Sequence, residues 1–396
     1  MRILFVYDCL YPHTIGGFER FYREVAERLA RKHEVSYLTR VQWDPDRPPD
    51  TPDGVKLVAL NCGRDLYTAS GRRRILPPLR FGLSVFIHLM RNRHRYDIVQ
   101  TCSFPYFPML ACATVRALGG PPVVTDWIEV WSDQYWERYL GPIGGRIGAA
   151  VQTLCIRLTS NALTLSELAA NALRARGCRN RLVVLKGLAT IPTTEITAAP
   201  ETTRDPVFVF AGRHIPEKHA DKIPAAIAIA REKIPQLRAQ IFGDGPERTR
   251  VLTEIARLHL EDAIECPGFV PAAQLDAALS RATGLILPSE REGYGSVVIE
   301  AIARDTPAIV VQGSDNAATD LIVEGVNGFV APSVEASVLA EHMVKLFMAG
   351  PELRARTQQW YREHASQLSL DASIAQIDEV YRDIETGRPT EDNAKR

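Results

Sequence analysis

Two spacings of apolar residues alternate along the chain. Short unbroken apolar runs, such as Ile3 to Val6 and Val207 to Ala211, are bounded by turn residues. Each is followed by a stretch whose apolar residues recur at helical spacing. The runs predict strands buried on both faces, and the spaced stretches predict amphipathic helices. Strand–helix alternation predicts parallel sheets covered on both sides, an α/β fold. In the first half strands are expected at 2–7, 34–39, 55–60, 97–101, from 121, at 162–165 and at 182–185. Helices are expected from Gly16-Gly17 to about Lys32, within 71–95, at 106–118, from Gly145 to about Ser160, and from Ser166. In the second half strands are expected from Val207 to Gly212, at 238–242, at 284–287 and from Pro307 to Val311. Helical patterns at 335–348, 351–363 and 371–385 end the chain.

Residues 191–206 are rich in Pro, Thr, Ala and Glu and have linker composition. They divide the chain into a first domain, 1–190, and a second, 207–359. Helices at 360–385 follow, then a tail at 386–396 that reads as disordered.

Composition narrows the class. The 396 residues are 46% hydrophobic and 24% charged, as in a globular protein with real cores. The formal net charge is zero, which removes any global field for nucleic acid. Seven Cys are scattered, with no C-x-x-C or zinc spacing, so no metal centre is expected and the thiols read as reduced and cytoplasmic. The first residues enter a strand at once, without the pattern of a leader, and no apolar run approaches the roughly 20 residues of a membrane span.

The candidate chemistry gathers where predicted strands end. From Pro288 the chain carries Glu292, then Gly293-Tyr294-Gly295, then a helix from Ser296 with Glu300 in its second turn. The two glycines allow close backbone approach, and the helix N–H groups favour an anionic, oxygen-rich ligand flanked by two carboxylates. Gly212 ends a strand and is followed by Arg213 and Lys218, two cations placed to neutralise a diphosphate. Gly243 opens a Gly-Asp-Gly-Pro turn, and Phe269-Val270 complete a Pro-Gly-Phe-Val turn. In the first domain, Gly16-Gly17 form a strand–glycine–helix turn, which reads as an anion site or as a plain tight turn.

Residues 121–136 leave a strand into a loop dense in aromatics and acids. Trp127, Trp131, Tyr135 and Trp136 stand among Asp126, Glu129 and Asp133. That make-up suits a sugar-binding loop, and it is also common in a plain lid. Residues 71–95 hold seven arginines and no acid, interleaved with aliphatic residues. The first reading there is a helix buried on one side with a solvated arginine face. The second is a surface touching anionic lipid or an acidic acceptor.

Taken together, the segment Glu292, Gly-Tyr-Gly and Glu300-Ala301 resembles the E-x7-E motif of retaining GT-B glycosyltransferases, family 4 in particular. Gly212-Arg213 with Lys218 resembles the family's G-R-x-x-x-x-K segment, and the turns at Gly243 and Phe269 match its second-domain landmarks. The resemblance covers nearly the whole chain. It implies the GT-B fold, two Rossmann-like parallel-sheet domains facing each other across a cleft that holds a nucleotide-diphosphate sugar, UDP- or GDP-linked. It implies that Arg213 and Lys218 grip the donor phosphates, helped by Gly16, Gly17 and the nest at Gly293 to Ser296. Glu300 would take the ribose hydroxyls, Glu292 the sugar hydroxyls, and the turn at Phe269-Val270 the base. Asp126 stands where the family often has His near the donor sugar. Lys186 replaces the family's Asn, and His219 and Asp305 replace glycines.

Rival readings fail on spacing. Gly243-Asp-Gly245 is followed by Arg248 and Gly293-Tyr-Gly295 by Val298, so neither completes a dinucleotide fingerprint. Lys218 lacks the neighbours of a P-loop. A glycosidase pair at Glu292 and Glu300 would leave the cations and glycine loops without a task. A non-catalytic nucleotide-sugar-binding paralogue is the rival from another class. The expected activity is retaining transfer to a small polar acceptor such as an aminocyclitol or nucleoside-like natural product, without metal or other cofactor. The alternative acceptor is a cell-envelope glycolipid or polysaccharide. The expected location is cytoplasmic, with peripheral contact at the inner membrane face through 72–95 as the second option.

Overall fold

The computed structural model describes residues 1–44, 46, 49–60, 74–189 and 206–388. The linker at 191–205, Arg72, Arg73 and most of the C-terminal tail lie outside the described residues. The chain divides into two compact units. One comprises Met1–Gly187 with Leu370–Arg396, the other Leu188–Ser369.

The first unit is built on a 7-stranded parallel sheet. Its elements are β1 (Arg2–Val6), α1 (Gly17–Leu29), β2 (Glu34–Arg40), β3 (Lys56–Leu60), α2 (Leu76–Asn92), β4 (Ile98–Cys102), α3 (Tyr106–Ala117), β5 (Val123–Trp127), α4 (Asp133–Leu158), β6 (Asn161–Thr164), α5 (Glu167–Ala175) and β7 (Arg181–Val184). The strand order is β3-β2-β1-β4-β5-β6-β7, so the sheet starts at β1 and grows outward in both directions. Burial on both faces explains the unbroken apolar runs: β4 and β5 are buried along their whole length.

Alternate residues of β1 serve two layers. Leu4 and Val6 pack with Phe81, Val85 and Leu89 of α2 and with Cys112 and Val115 of α3. Phe5 instead meets Tyr22 of α1, with ring centroids 5.0 Å apart. The C-terminal helix, Leu370–Thr386, also belongs to this unit. Its Asp371 pairs with Arg28, its Asp378 with His33 at 2.8 Å, and its Asp383 with Arg181 at 2.6 Å.

The second unit holds a 6-stranded parallel sheet in the order β10-β9-β8-β11-β13-β15. It comprises β8 (Val207–Ala211), α6 (Ile223–Arg231), β9 (Arg238–Phe242), α7 (Arg248–Arg257), β10 (Ile264–Gly268), α8 (Ala272–Arg281), β11 (Gly284–Leu287), β12 (Arg291–Glu292), α9 (Ser296–Ile302), β13 (Ala308–Val311), β14 (Asp315–Asn316), β15 (Gly328–Ala331) and α10 (Ala336–Leu368). The short β12 and β14 pair with each other outside the main sheet, Glu292 opposite Asn316. α10 is bent at Gly350, whose φ is 53°, with Pro351 next to it. The kink separates two helical arms, as the pattern at 335–348 and 351–363 predicts, and the second arm continues to Leu368. The units divide at Ser369/Leu370, whereas the sequence reading separates the last helices at 360.

Two local expectations differ from the structure. The stretch read as loop to Trp136 is already helical from Asp133, because Ser132 caps α4 by accepting from the Tyr135 N–H at 3.2 Å. The glycine break itself stands where the sequence places it, at Gly141 with φ 77° before Pro142, and a long helical arm to Leu158 follows it. The basic island does form a helix buried on one side, through Phe81, Val85 and Leu89. Its outward face is aliphatic, however, with Leu79, Leu83 and Ile87 all exposed.

Candidate functional site

The second unit builds its candidate site at the C-terminal ends of β8, β9 and β10, where ligands bind in α/β sheets. The Gly212 N–H donates to Phe242 O at 3.2 Å, and the Gly243 N–H to Gly268 O at 2.9 Å. Gly243 has φ 115°, and a Cβ there would stand 1.9 Å from Gly212 O, so only glycine lets these strand ends approach. Phe269 leaves β10 with 54% of its surface exposed, an unusual state for a large aromatic, and Val270 beside it is half-buried.

Arg213 is exposed just past β8, and among the described residues its guanidinium makes no ion pair or hydrogen bond. Lys218 lies in a short 3-10 turn, Pro216–Lys218, and its ammonium pairs with the Glu292 carboxylate on β12. Both side chains are largely buried, at 18% and 10% exposure, so the pair is shielded from solvent screening. Three further contacts join the same two segments. The Glu290 N–H donates to Glu217 O at 3.0 Å, Arg291 approaches Glu217 at 3.8 Å, and His219 approaches Glu290 at 3.3 Å. Two motifs distant in sequence thus form one loop cluster.

His219, which stands where the resembled pattern has glycine, sits in the left-handed region at φ 48°. Asp305, in the other such position, has φ 61° beyond the end of α9. Both departures fall where the backbone itself favours glycine.

Beyond Glu292 the loop turns inward. Gly293 and Gly295 are buried, and Gly295 caps α9 at φ 89° against Ala318. The Tyr294 ring is buried and hydrogen-bonds with the Leu188 backbone, and burial pushes its phenol well up. Tyr294 therefore anchors the loop from inside, leaving the backbone of Gly293 to Ser296 as the part that can meet a ligand. Ser296 and Glu300 are half-buried on α9.

In the first unit, Gly16 is the N-cap of α1 and Gly17 its first residue. The Glu19 carboxylate lies over Gly16: a Cβ there would be 2.0 Å from its oxygen. Glu19 also accepts from the Tyr7 hydroxyl at 3.0 Å. The N-terminus of α1 thus carries its own carboxylate beside the two glycines.

Asp126, at the end of β5, is 4% exposed and lies in the interior. Its two carboxylate oxygens accept from the Gln100 amide at 3.0 and 2.8 Å. Gln100 in turn accepts from the Tyr381 hydroxyl of the C-terminal helix. Burial pushes the Asp126 carboxyl up to about 7, partly offset by the Gln100 hydrogen bonds. The aromatics after it mostly pack on one another. Trp127 is fully buried and donates to Thr159 at 3.1 Å. Half-buried Trp131 stands at the centre of Phe104, Tyr135, Trp136 and Tyr139, and donates to Glu129 at 3.0 Å. Asp126 is thus not on the surface of that aromatic segment. Lys186 is exposed.

Sequence reasoning gave no role to Asn316, which holds the loop cluster in place. It is 1% exposed, donates to Ser289 O at 2.8 Å and Val311 O at 2.7 Å, and accepts from the Ala318 N–H at 3.0 Å. The Gly313-Ser-Asp-Asn turn signal marks the place, but the partners lie across the fold. Among the described residues no group of His, Cys, Asp and Glu could hold a metal ion.

Comparison with known proteins bears on both units. Residues 16–187 match the family model "Glycosyl transferase 4-like domain", and residues 193–364 match "Glycosyl transferases group 1". A D-inositol 3-phosphate glycosyltransferase of Streptomyces scabiei is 31% identical over 186 residues, 44% of this chain and 40% of that protein. A putative colanic acid biosynthesis glycosyltransferase, WcaL, of Salmonella typhimurium is 28% identical over 46% of each chain. The chain spans less than half the length of the curated relatives it matches. Among solved structures, sucrose-phosphate synthase of Thermosynechococcus elongatus shares the fold, with a TM-score of 0.77 at 18% identity over 98% of this chain and 99% of that one. Anabaena HepE in complex with UDP does so with a TM-score of 0.71 at 18% identity over 96% and 99%.

Proposed function

We propose, for a chain whose first unit belongs to the glycosyl transferase 4-like domains and whose second belongs to the group 1 glycosyl transferases, that it is a retaining glycosyltransferase using a nucleotide-diphosphate sugar. The observation that carries this reading is the loop cluster of the second unit. It sets the free cation of Arg213 and the Lys218–Glu292 pair at strand ends closed by glycine contacts.

In this reading Arg213 and Lys218 bind the diphosphate and stabilise the negative charge that grows on it as the glycosidic C–O bond breaks. The bond's electron pair goes to the departing phosphate oxygen. The acceptor oxygen forms the new bond from the same face of the sugar, and its proton passes to that phosphate oxygen. Configuration is retained without an enzyme base. Glu292 accepts from donor-sugar hydroxyls, Glu300 from the ribose, and the backbone from Gly293 to Ser296 contributes N–H donors. Exposed Phe269, with Val270, offers a face to the base. Gly16 and Gly17 open α1 of the first unit, where a helix N-terminus offers N–H donors to an anion. The donor is UDP- or GDP-linked, and the reading includes no metal and no other cofactor. Asp126 acts through the fold of the first unit, given its burial.

The first reading of the acceptor is a small polar molecule, placed at the aromatic segment around Trp131. A second reading, a membrane-borne acceptor, is favoured by the exposed aliphatic face of α2. Product formation from UDP- and GDP-sugars with soluble and lipid-linked acceptors tests both. Release of nucleoside diphosphate with an anomerically retained product is the expected result. Sugar transfer with inversion would overturn the mechanism.

A further inference from the structure

We infer that α2 is a membrane-docking helix that rests the first unit on an anionic lipid surface. α2 buries Phe81, Val85 and Leu89 against the sheet, so its opposite side must face outward. A soluble helix would place polar residues there. Instead the exposed residues are Leu76 at 52%, Leu79 at 46%, Leu83 at 60%, Ile87 at 41% and Met90 at 37%. Their spacing of three and four residues puts them in one stripe along the helix. Ile75, just before the first turn, adds another residue 66% exposed. Scattered exposed aliphatics are ordinary, but a continuous stripe marks an interaction surface.

Charge selects the partner. From Leu66 to Tyr96 the sequence contains no Asp or Glu. Arg80 and Arg91 are exposed one position beyond Leu79 and Met90, which puts both on the same flank of the stripe. Arg74 and Arg95 are exposed just beyond the two ends of the helix. An apolar stripe edged by arginines, with no acid to repel phosphate, fits the interfacial plane of an anionic bilayer. Among the described residues no helix is long and apolar enough to cross a membrane, so the contact is one of lying on the surface. This is the α2 face that the arginine pattern alone assigns to solvent.

The test is flotation of the full chain with vesicles of phosphatidylcholine alone or with about 30% phosphatidylglycerol. Binding is expected only to the anionic vesicles, weakening at least tenfold between about 0.05 and 0.5 M salt. Leu83→Ser with Ile87→Ser should abolish it, and Arg80→Ser with Arg91→Ser should lower it about fivefold per arginine. These positions are exposed, and unchanged circular dichroism checks the fold of each variant. No binding by the wild type, or equal binding by the Leu83/Ile87 variant, would overturn the inference. So would a wild-type dimer that the Leu83/Ile87 variant dissolves, which would assign the stripe to a second copy of the chain.

Discussion

Lys218 and Glu292 neutralise each other across the loop cluster of the second unit, both largely buried. In the reading above these groups have separate ligands, phosphate for the lysine and sugar hydroxyls for the glutamate. Their pairing gives each a counter-charge, which avoids the cost of an isolated buried charge. Under the proposed function, a bound diphosphate would offer Lys218 a second anion and leave Glu292 to accept from the sugar.

Lys218→Ala should therefore lower the transfer rate at least a hundredfold. Glu292→Ala should do the same through the sugar. Because the two residues touch, the double variant should lose less than the sum of the single losses, by roughly 0.5–3 kcal/mol. A double-mutant cycle on kcat/KM measures this, and strict additivity would mean that the pair is not maintained in solution.

Asn316→Ala should destabilise the second unit by about 2–4 kcal/mol, since it leaves two buried carbonyls and one N–H without their partner. Glu292 is the register partner of Asn316, so activity should fall further than stability alone explains. Chemical denaturation alongside kinetics at a temperature where the variant is fully folded separates the two losses.

Asp126 sets a pH dependence on the first unit. Its folded carboxyl sits at about 7, raised from 3.8, so the native state holds this proton more tightly than the unfolded chain. The resulting stability is fully present below about pH 4 and is lost as pH rises through 7, a fall of order 4 kcal/mol. Asp126→Asn should flatten that slope. Urea titrations at several pH values check it, and an unchanged slope in the variant would assign the dependence elsewhere.

Phe269→Ala should weaken nucleotide binding about tenfold, as expected when one base loses an aromatic face. Calorimetry with the nucleoside diphosphate reads this directly, and unchanged affinity would remove Phe269 from the site.

Much of this was legible in the sequence because the signals are local. Runs such as Phe208 to Phe210 predict buried strands on their own, and the glycines at 243 and 295 stand where the backbone needs them. Even the departures at His219 and Asp305 fall on left-handed residues, so the resembled glycines mark real backbone positions. What the sequence concealed depends on partners distant in the chain. Lys218 meeting Glu292, Asn316 reaching Ser289, and Tyr381 reaching Gln100 cannot be read from spacing. The outward aliphatic face of α2 was hidden for the opposite reason. Apolar residues lie on both sides of that helix, and only packing reveals which side the sheet covers.

A calorimetric titration of UDP, GDP, ADP and dTDP, without added metal, into the wild type and into Arg213→Ala and Glu300→Ala tests directly whether this chain binds a nucleotide-diphosphate donor. Micromolar binding of one nucleotide to the wild type, lost in both variants, is the expected result. Failure of every nucleotide to bind the wild type would contradict it and favour a non-catalytic scaffold.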